Sequence, residues 1–378
     1  MKPLFPPTRV IFVRHGRSTY NEQGRYQGSS DEAVLSAHGR YTAQLVGQAL
    51  RHEKIQAVYA SPLKRVRQTV DVLLDELQAE AFTLELRDDL REIDLPDWEG
   101  LPYQTVRTQQ ADAYRCWIEH PHEFQMGSFY PVCDLYERAR RFWQSMLSRH
   151  PHQTLLVVSH GGTIHALIGT ALGLTAQYHH CLQQSNCGIS VLEISQPLQS
   201  ARLCQLNDVA AIGESLPKLK AGKQGLRLLF LPMTSETSCA QVASLLSSTH
   251  LDFSLRTYDL LSDLQMMSLL GGHLETVQLQ VQREDFLQAW QYTLNLRAQH
   301  SEGLTTGLVI ATPEKIQDLL EQIMGVEHRS LTLQLGTLSV LHFANSQSRP
   351  ILQGLNIHAG YKAQLNKVRS ESCRKQAA

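Results

Sequence analysis

Two stretches of the second half of this chain lie over two stretches of the first. RLLFLPMT (227–234) matches RVIFVRHG (9–16), and GLVIATPEKIQDLLEQIMGV (307–326) matches LLVVSHGGTIHALIGTALGL (155–174) without a gap. After a small shift, TLSVLHF (337–343) follows GISVLEI (188–194), and LQGLN follows LCQLN. The apolar residues keep register throughout, so the layered structure taken by the first half is expected again in the second. The polar residues do not survive the comparison. Arg14 faces Pro232, His15 faces Met233 and His160 faces Thr312. The interval between the two motifs also shrinks, from 145 residues to 79.

In the first half, short apolar runs alternate with helical periodicity. Arg9–Val13 is β-branched and bounded by Pro6-Pro7 and Gly16, which predicts a buried strand. Ser36–His52 carries Ala43, Val46, Ala49 and Leu50 at helical spacing. Ala57–Ser61 reads as a second strand, with Pro62 opening the helix that carries Val66, Val70, Leu73, Leu74 and Leu77 on one stripe. Leu135 to Leu147 predicts a longer amphipathic helix, and Leu155–Val158 another strand, with a helix from Gly161-Gly162 to Leu172. Such alternation implies an α/β layered sheet, in which ligands gather beyond the carboxyl ends of strands. Three polar groups fall there: Arg14-His15, Ser61 to Arg65, and His160.

The 378 residues suffice for two domains, and a net charge of −1 supplies no global field toward nucleic acid or an anionic membrane. Anion affinity must therefore come from local arrangement. Seven dispersed cysteines without a CxxC pair fit a reducing compartment better than a disulfide framework or zinc site. The opening MKPLFPPTRVIFV reads as neither signal peptide nor membrane span, and the expected location is cytoplasmic.

The polar groups at the strand ends suit phosphoryl transfer. That chemistry needs a nucleophile, donors around three equatorial oxygens and an acid for the leaving oxygen. Arg14 and Arg65 are permanent cationic forks matched to phosphate oxygens. His160, if protonated, adds a third positive donor, and Gly161-Gly162 opens a helix whose free N–H groups can face an anion. Ser18 and Asn21 offer neutral hydrogen bonds. His15 is the natural nucleophile, and Glu92 in LREIDLPDWEG is the candidate general acid, with Asp94 and Glu99 as neighbouring alternatives.

RHGRS (14–18) with Asn21, RYQG (25–28), SPLKR (61–65), LRE (90–92), WEG (98–100) and SHGG (159–162) together resemble the histidine phosphatase superfamily, the phosphoglycerate-mutase-like fold, over about 8–208. The resemblance implies a phosphohistidine at His15. It implies a phosphate pocket of Arg14, Arg65 and His160 assisted by Asn21, a proton donor at Glu92, and Gln27, Gly28 and Gly161 among the substrate-binding residues. Two departures stand out. Leu95-Pro96-Asp97 precedes WEG where the family carries Gly, and Tyr130-Pro131-Val132-Cys133 replaces the family's Gly-Glu-Ser. Within the superfamily, GRYQGSSDEAVL, YPVCDLYERARRFW and a second domain resemble the 2-carboxy-D-arabinitol-1-phosphatases, which remove phosphate from sugar-phosphate inhibitors of Rubisco.

The expected organisation is a layered phosphoglycerate-mutase-like catalytic domain (1–208), a polar linker (209–224) and a smaller degenerate α/β copy of the same fold (225–378) without catalysis. The expected activity is metal-independent hydrolysis of a small phosphorylated metabolite, with no cofactor, nucleic acid or membrane partner. Self-association is left open. Phosphoserine phosphatase and phosphoglycerate mutase are the rival activities, and a phosphate-sensing scaffold is the non-enzymatic one. The 68 residues from Glu92 to His160 leave little room for the long cap that a mutase usually carries, which favours a phosphatase. His179-His180 reads as a solvated turn rather than a metal site, and Trp117 and Trp143 as core. Lys64, Arg67 and Arg25 read as surface charges able to steer a phosphate.

Overall fold

The computed structural model describes residues 6–77, 83–195, 200–234, 239–247, 249–257, 260–271, 273, 275–282, 284–296 and 303–358. The first half contributes β1 (Thr8–Arg14), β2 (Ala57–Ala60), β3 (Thr83–Leu86), β4 (Thr154–Ser159), β5 (Ile189–Ser195) and β6 (Ser200–Asp208). The second contributes β7 (Gly225–Pro232), β8 (Phe253–Thr257), β9 (Val277–Val281), β10 (Leu304–Ala311), β11 (Leu338–Phe343) and β12 (Ile351–Ile357). All join one sheet in the order β3-β2-β4-β1-β5-β6-β12-β11-β7-β10-β8-β9. Read inward from either end, the two halves have the same topology. Arg14 pairs with Ser159 across β1 and β4, and Pro232 pairs with Ala311 across β7 and β10, the register expected from the sequence repeat.

Strand alternation decides where the core lies. On β1, Val10 and Phe12 face one side while Ile11 and Val13 face the other, and on β7 Leu228 and Phe230 alternate with Leu229 and Leu231. The Val10–Phe12 side and the Leu228–Phe230 side belong to a single buried cluster that runs through both halves. The opposite faces carry separate clusters, one per half. Helices cover both faces. Ser36 caps Ala37–Leu50 through Gly39 N–H, and Pro131 sits in the first turn of Pro131–Leu147, where its missing N–H is tolerated. The SPLKR helix starts at Lys64, two residues after the expected Pro62. Among the described residues no helix is long and apolar enough to cross a membrane.

The halves join at the antiparallel contact of β6 with β12, where Leu206 pairs with Leu355. Left alone, each strand would present an unpaired edge. The join is a local twofold. Leu182 bridges Leu352, and Leu203 bridges Leu331. Asn207 and Asn356 are both fully buried, at φ of 52° and 53°. Asn207 donates through Nδ2 to the Gln353 carbonyl (2.7 Å) and accepts from Ser185 N–H. Asn356 donates to the Cys204 carbonyl (2.7 Å) and accepts from Gln334 N–H. Asparagine suits both points, because it tolerates a left-handed backbone and offers donor and acceptor together.

The segment expected as a linker behaves differently from a free connection. Ala210 and Ala211 are buried in a short turn, and the backbone from Pro217 to Gln224 is tied to both halves. Replacing Asn356 with Ala should lower unfolding free energy by about 2–4 kcal/mol, since buried partners in both halves lose their bonds. Asn207→Ala should do the same by symmetry. Melting temperatures unchanged in both variants would contradict a junction held by these side chains.

Candidate active site

Parallel pairing of β1 with β4 brings the two motifs together. Arg14 lies opposite Ser159, His15 N–H donates to the Ser159 carbonyl (2.9 Å), and the His15 and His160 rings stand 5.2 Å apart, centroid to centroid. Ser61, after β2, meets His160 Nε2 at 2.8 Å. Arg65, fully buried in the first turn of its helix, donates to the carbonyls of Gly28 (2.8 Å) and Ser30 (2.7 Å), which fixes the loop after RYQG. Arg14 donates to the Gln184 carbonyl at 2.8 Å. Gly16 allows this closeness, since a Cβ there would stand 2.5 Å from the Gly39 carbonyl oxygen. Gly28 sits at φ +51°, and a Cβ would strike the Glu99 carboxylate.

His15 is 1% exposed, and its Nδ1 lies 2.7 Å from the Gly16 carbonyl. A carbonyl only accepts, so Nδ1 carries the proton and Nε2 keeps its lone pair. Burial, followed by the charges of Arg14 and Arg65, holds the imidazole well below its ordinary 6.5, although the Gly16 bond opposes this. His15 is therefore neutral near pH 7, the form a nucleophile needs. Burial and then Arg65, His15 and Arg14 also hold His160 well below 6.5. The third positive charge expected at His160 is thus absent from the unliganded pocket. The charges that suppress it would be offset by a bound anion. Arg65 is drawn down to about 10, chiefly by burial, and stays charged. Arg14 Nε, Arg65 Nε and His160 Nδ1 are buried without partners. Three orphaned donor positions around one nucleophile suit an anion that would occupy them.

Glu92 lies over the first turn of the Gly161–Ala171 helix, accepting from Thr163 N–H (3.1 Å), Gly162 N–H (3.3 Å) and Thr163 Oγ1 (3.3 Å). Arg138 holds the backbone beneath it, donating to the carbonyls of Arg91 (2.9 Å) and Glu92 (3.1 Å). Of the three neighbouring carboxylates, Glu92 lines the cavity. Glu99 instead accepts from Ser29 and Ser30.

The cavity holds about 820 Å³ and has walls from three regions. Gln27, Gly28 and Gly161 line it beside Arg14. Helices Tyr103–Gln109 and Ala111–Glu119 form a second wall through Tyr103, Tyr114 and Trp117. The 68-residue interval places these two short helices over the cavity and holds no long insertion there. Lys220, Ser346 and Gln347, from the connecting segment and the second half, form the third wall.

Other expectations change as well. Ser18 caps the Thr19–Gln23 helix, accepting from Asn21 N–H and bonding Gln27 Oε1, so its hydroxyl is committed locally. The Asn21 carboxamide oxygen likewise accepts from Ser18 N–H and from Asn186 Nδ2. The His179-His180 turn is not solvated. His179 is 2% exposed, His180 donates to the Trp117 carbonyl (2.8 Å), and His165 packs against His179. Trp143 is core, whereas Trp117 also faces the cavity. Arg25 donates to the Gly100 carbonyl (2.9 Å), which makes it a loop tie. Sequence reasoning missed Asn186, which donates to the His15 carbonyl (3.0 Å), and Arg138. Among the described residues, one trio of His and carboxylate groups is close enough to share a metal ion: Asp318, Glu321 and His328, in the second half. Glu321 there already accepts from Arg329 and Leu331 N–H.

Residues 10–207 match the family described as the histidine phosphatase superfamily, branch 1. A protein of Arabidopsis thaliana named as a probable 2-carboxy-D-arabinitol-1-phosphatase is 35% identical over 277 residues, 69% of this chain and 56% of that protein. The 2-carboxy-D-arabinitol-1-phosphatase of Triticum aestivum is 32% identical over 281 residues, 71% of this chain and again 56% of the relative. This chain thus spans little more than half the length of either plant protein. Phosphoserine phosphatase 1 of Hydrogenobacter thermophilus is 30% identical over 206 residues, 54% of this chain and 95% of that enzyme.

Five buried histidines have depressed pKa values. His15, His160, His165 and His179 lie well below 6.5, chiefly through burial, and burial brings His180 to about 4. The unfolded chain therefore binds more protons below about 6.5, so stability is full above that pH and is lost as pH falls toward the folded values. Each histidine contributes up to about 1.4 kcal/mol per pH unit in that window. Melting temperature should fall steeply from about pH 6.5 to about pH 4, and Asn at 179 and 180 should flatten the slope. A flat profile would contradict burial of these rings as neutral groups.

Proposed function

The chain belongs to the histidine phosphatase superfamily through residues 10–207, and from that premise we propose that it is a phosphomonoesterase working through a phosphohistidine on His15. The observation that carries this reading is the His15 imidazole, neutral and fixed by the Gly16 carbonyl, with Nε2 free among orphaned donors of Arg14, Arg65 and His160.

In the first step His15 Nε2 attacks phosphorus as the ester P–O bond breaks. The departing alkoxide takes a proton from the Glu92 carboxyl group, leaving an alcohol, a phosphohistidine and the Glu92 carboxylate. In the second, water attacks phosphorus and gives a proton to Glu92 while the P–N bond breaks, which regenerates neutral His15 and releases phosphate. Arg14 and Arg65 balance the charge on the equatorial oxygens, and the Gly161–Ala171 helix presents its N-terminus to them. These cations do the work for which a metal ion is otherwise used, and the activity is metal-independent on this reading.

As substrate we propose a small phosphorylated acid of the sugar series, such as 2-carboxy-D-arabinitol 1-phosphate. The support is the naming of the two plant relatives and a cleft wide enough for a sugar acid. Phosphoserine is the second reading, favoured by the bacterial relative, which this chain matches over 95% of its length. A mutase is the nearest rival, and water access to the phosphohistidine separates the two. Dispersed free cysteines, with Cys181 and Cys187 buried, support a reducing cytoplasm as the place of action.

His15→Ala should abolish turnover, and rapid quenching with labelled substrate should show acid-labile phosphate on the unaltered protein alone. Label retained by the His15→Ala protein would overturn the assignment. Activity should survive EDTA and be inhibited by vanadate, whose five-coordinate geometry resembles the transferring phosphorus. A strict requirement for added magnesium would overturn metal independence.

A further inference from the structure

The cleft holds a cation that neither chemical step uses. Lys220 lies on the strap 217–224, outside the family-matched residues, and lines the cavity. The strap is fixed from both sides. Gln183 of the first half donates to the Lys218 carbonyl (2.9 Å). From the second half Arg227 donates to the Pro217 carbonyl (2.8 Å), Ser346 to Ala221 (3.2 Å) and His342 to Gln224 (2.9 Å). Lys220 Nζ donates to the Gln184 carbonyl, the same oxygen that accepts Arg14 Nη1 at 2.8 Å. One carbonyl thus sits between two cations, so their nitrogens are separated by no more than the sum of two hydrogen bonds. Glu92 favours the charged form of Arg14 and Glu214 that of Lys220, and a bound anion would add to both, which the shared neutral oxygen cannot do.

The transferred phosphate is already served by Arg14, Arg65 and His160, and the Lys220 charge acts on His15 less than either arginine does. Lys220 therefore stands farther along the cleft. Although the residue as a whole is exposed, desolvation of its ammonium and the Arg14 charge depress its pKa from 10.5, and a neighbouring carboxylate would restore its charge.

We propose that Lys220 binds a carboxylate of the substrate, a few bonds from the phosphate ester, and that the second half acts on selectivity by holding the strap that carries this lysine. The inference rests on the phosphatase reading above. It gives the duplicated half a task that its lost histidines do not exclude.

The test compares kcat/KM for a phosphorylated carboxylic acid, 3-phosphoglycerate, with that for glycerol 1-phosphate, which lacks the carboxylate, using the full chain. In Lys220→Met the ratio of acid to neutral ester should fall about 10- to 100-fold, chiefly through KM for the acid, as for loss of one charge-assisted hydrogen bond. Lys220→Arg should recover much of the ratio. A ratio unchanged in Lys220→Met, whether both esters lose alike or neither loses, would overturn the proposal. If the unaltered chain showed no preference for the acid over the neutral ester, the role of Lys220 would fall, while the phosphatase reading would still stand or fall by the phosphate on His15.

Discussion

The pairing of β1 with β4 is the contact on which the pocket depends. Parallel strands end on the same side of a sheet, so two motifs 145 residues apart in sequence arrive side by side. The ladder also sets depth. His15 N–H is held by the Ser159 carbonyl, and its imidazole is turned back onto the Gly16 carbonyl. His15 is thereby buried, neutral and fixed in one tautomer by a neutral carbonyl. The electrostatics follow from that placement. Arg14 and Arg65 depress the two histidines when the pocket is empty, and the same charges favour an anion within it.

In the second half the same ladder survives without the chemistry. Phe230 and Val309 fill the places of Phe12 and Val157 in a core shared by both halves, while Met233 is sealed into the cluster on the opposite face. Thr312 takes the N-cap position of its helix as His160 does in the first half, neither with a side-chain cap bond. Retained apolar alternation is enough to rebuild strands, register and helix starts. Catalysis needs the few polar positions that alternation does not constrain.

Much of this was legible in the residues. Strand–helix alternation, the arginines at the strand ends and the duplicated register depend on local pattern, and the pattern is strong in RVIFVRHG and LLVVSHGG. What escaped the sequence depends on long-range packing. Asn186 carries no motif, yet reaches the His15 carbonyl from 171 residues away. The paired histidines at 179 and 180 look hydrophilic until Trp117, Tyr136 and His165 are seen to enclose them. The strap at 217–224 has the Lys and Gly content of a linker, and its anchors come from distant residues of both halves. The two helices of the second cleft wall, seven and nine residues long, fall below the length at which periodicity declares itself.

The β6–β12 join also has a consequence for how the protein responds to dilution. A sheet extended through the same edge by two separate chains would come apart as concentration falls, and any cleft wall supplied by the second chain would leave with it. Here the two edges are covalently tied, so the local concentration of one for the other is fixed by the tether and does not vary with the amount of protein. The cleft keeps its third wall in a single molecule. The first half has Arg14, His15 and His160 where the second has Pro232, Met233 and Thr312, so the surroundings of the cleft are not bound by symmetry. The strap and the loop at Ser346 can therefore diverge on one side of the dyad without altering an identical copy on the other.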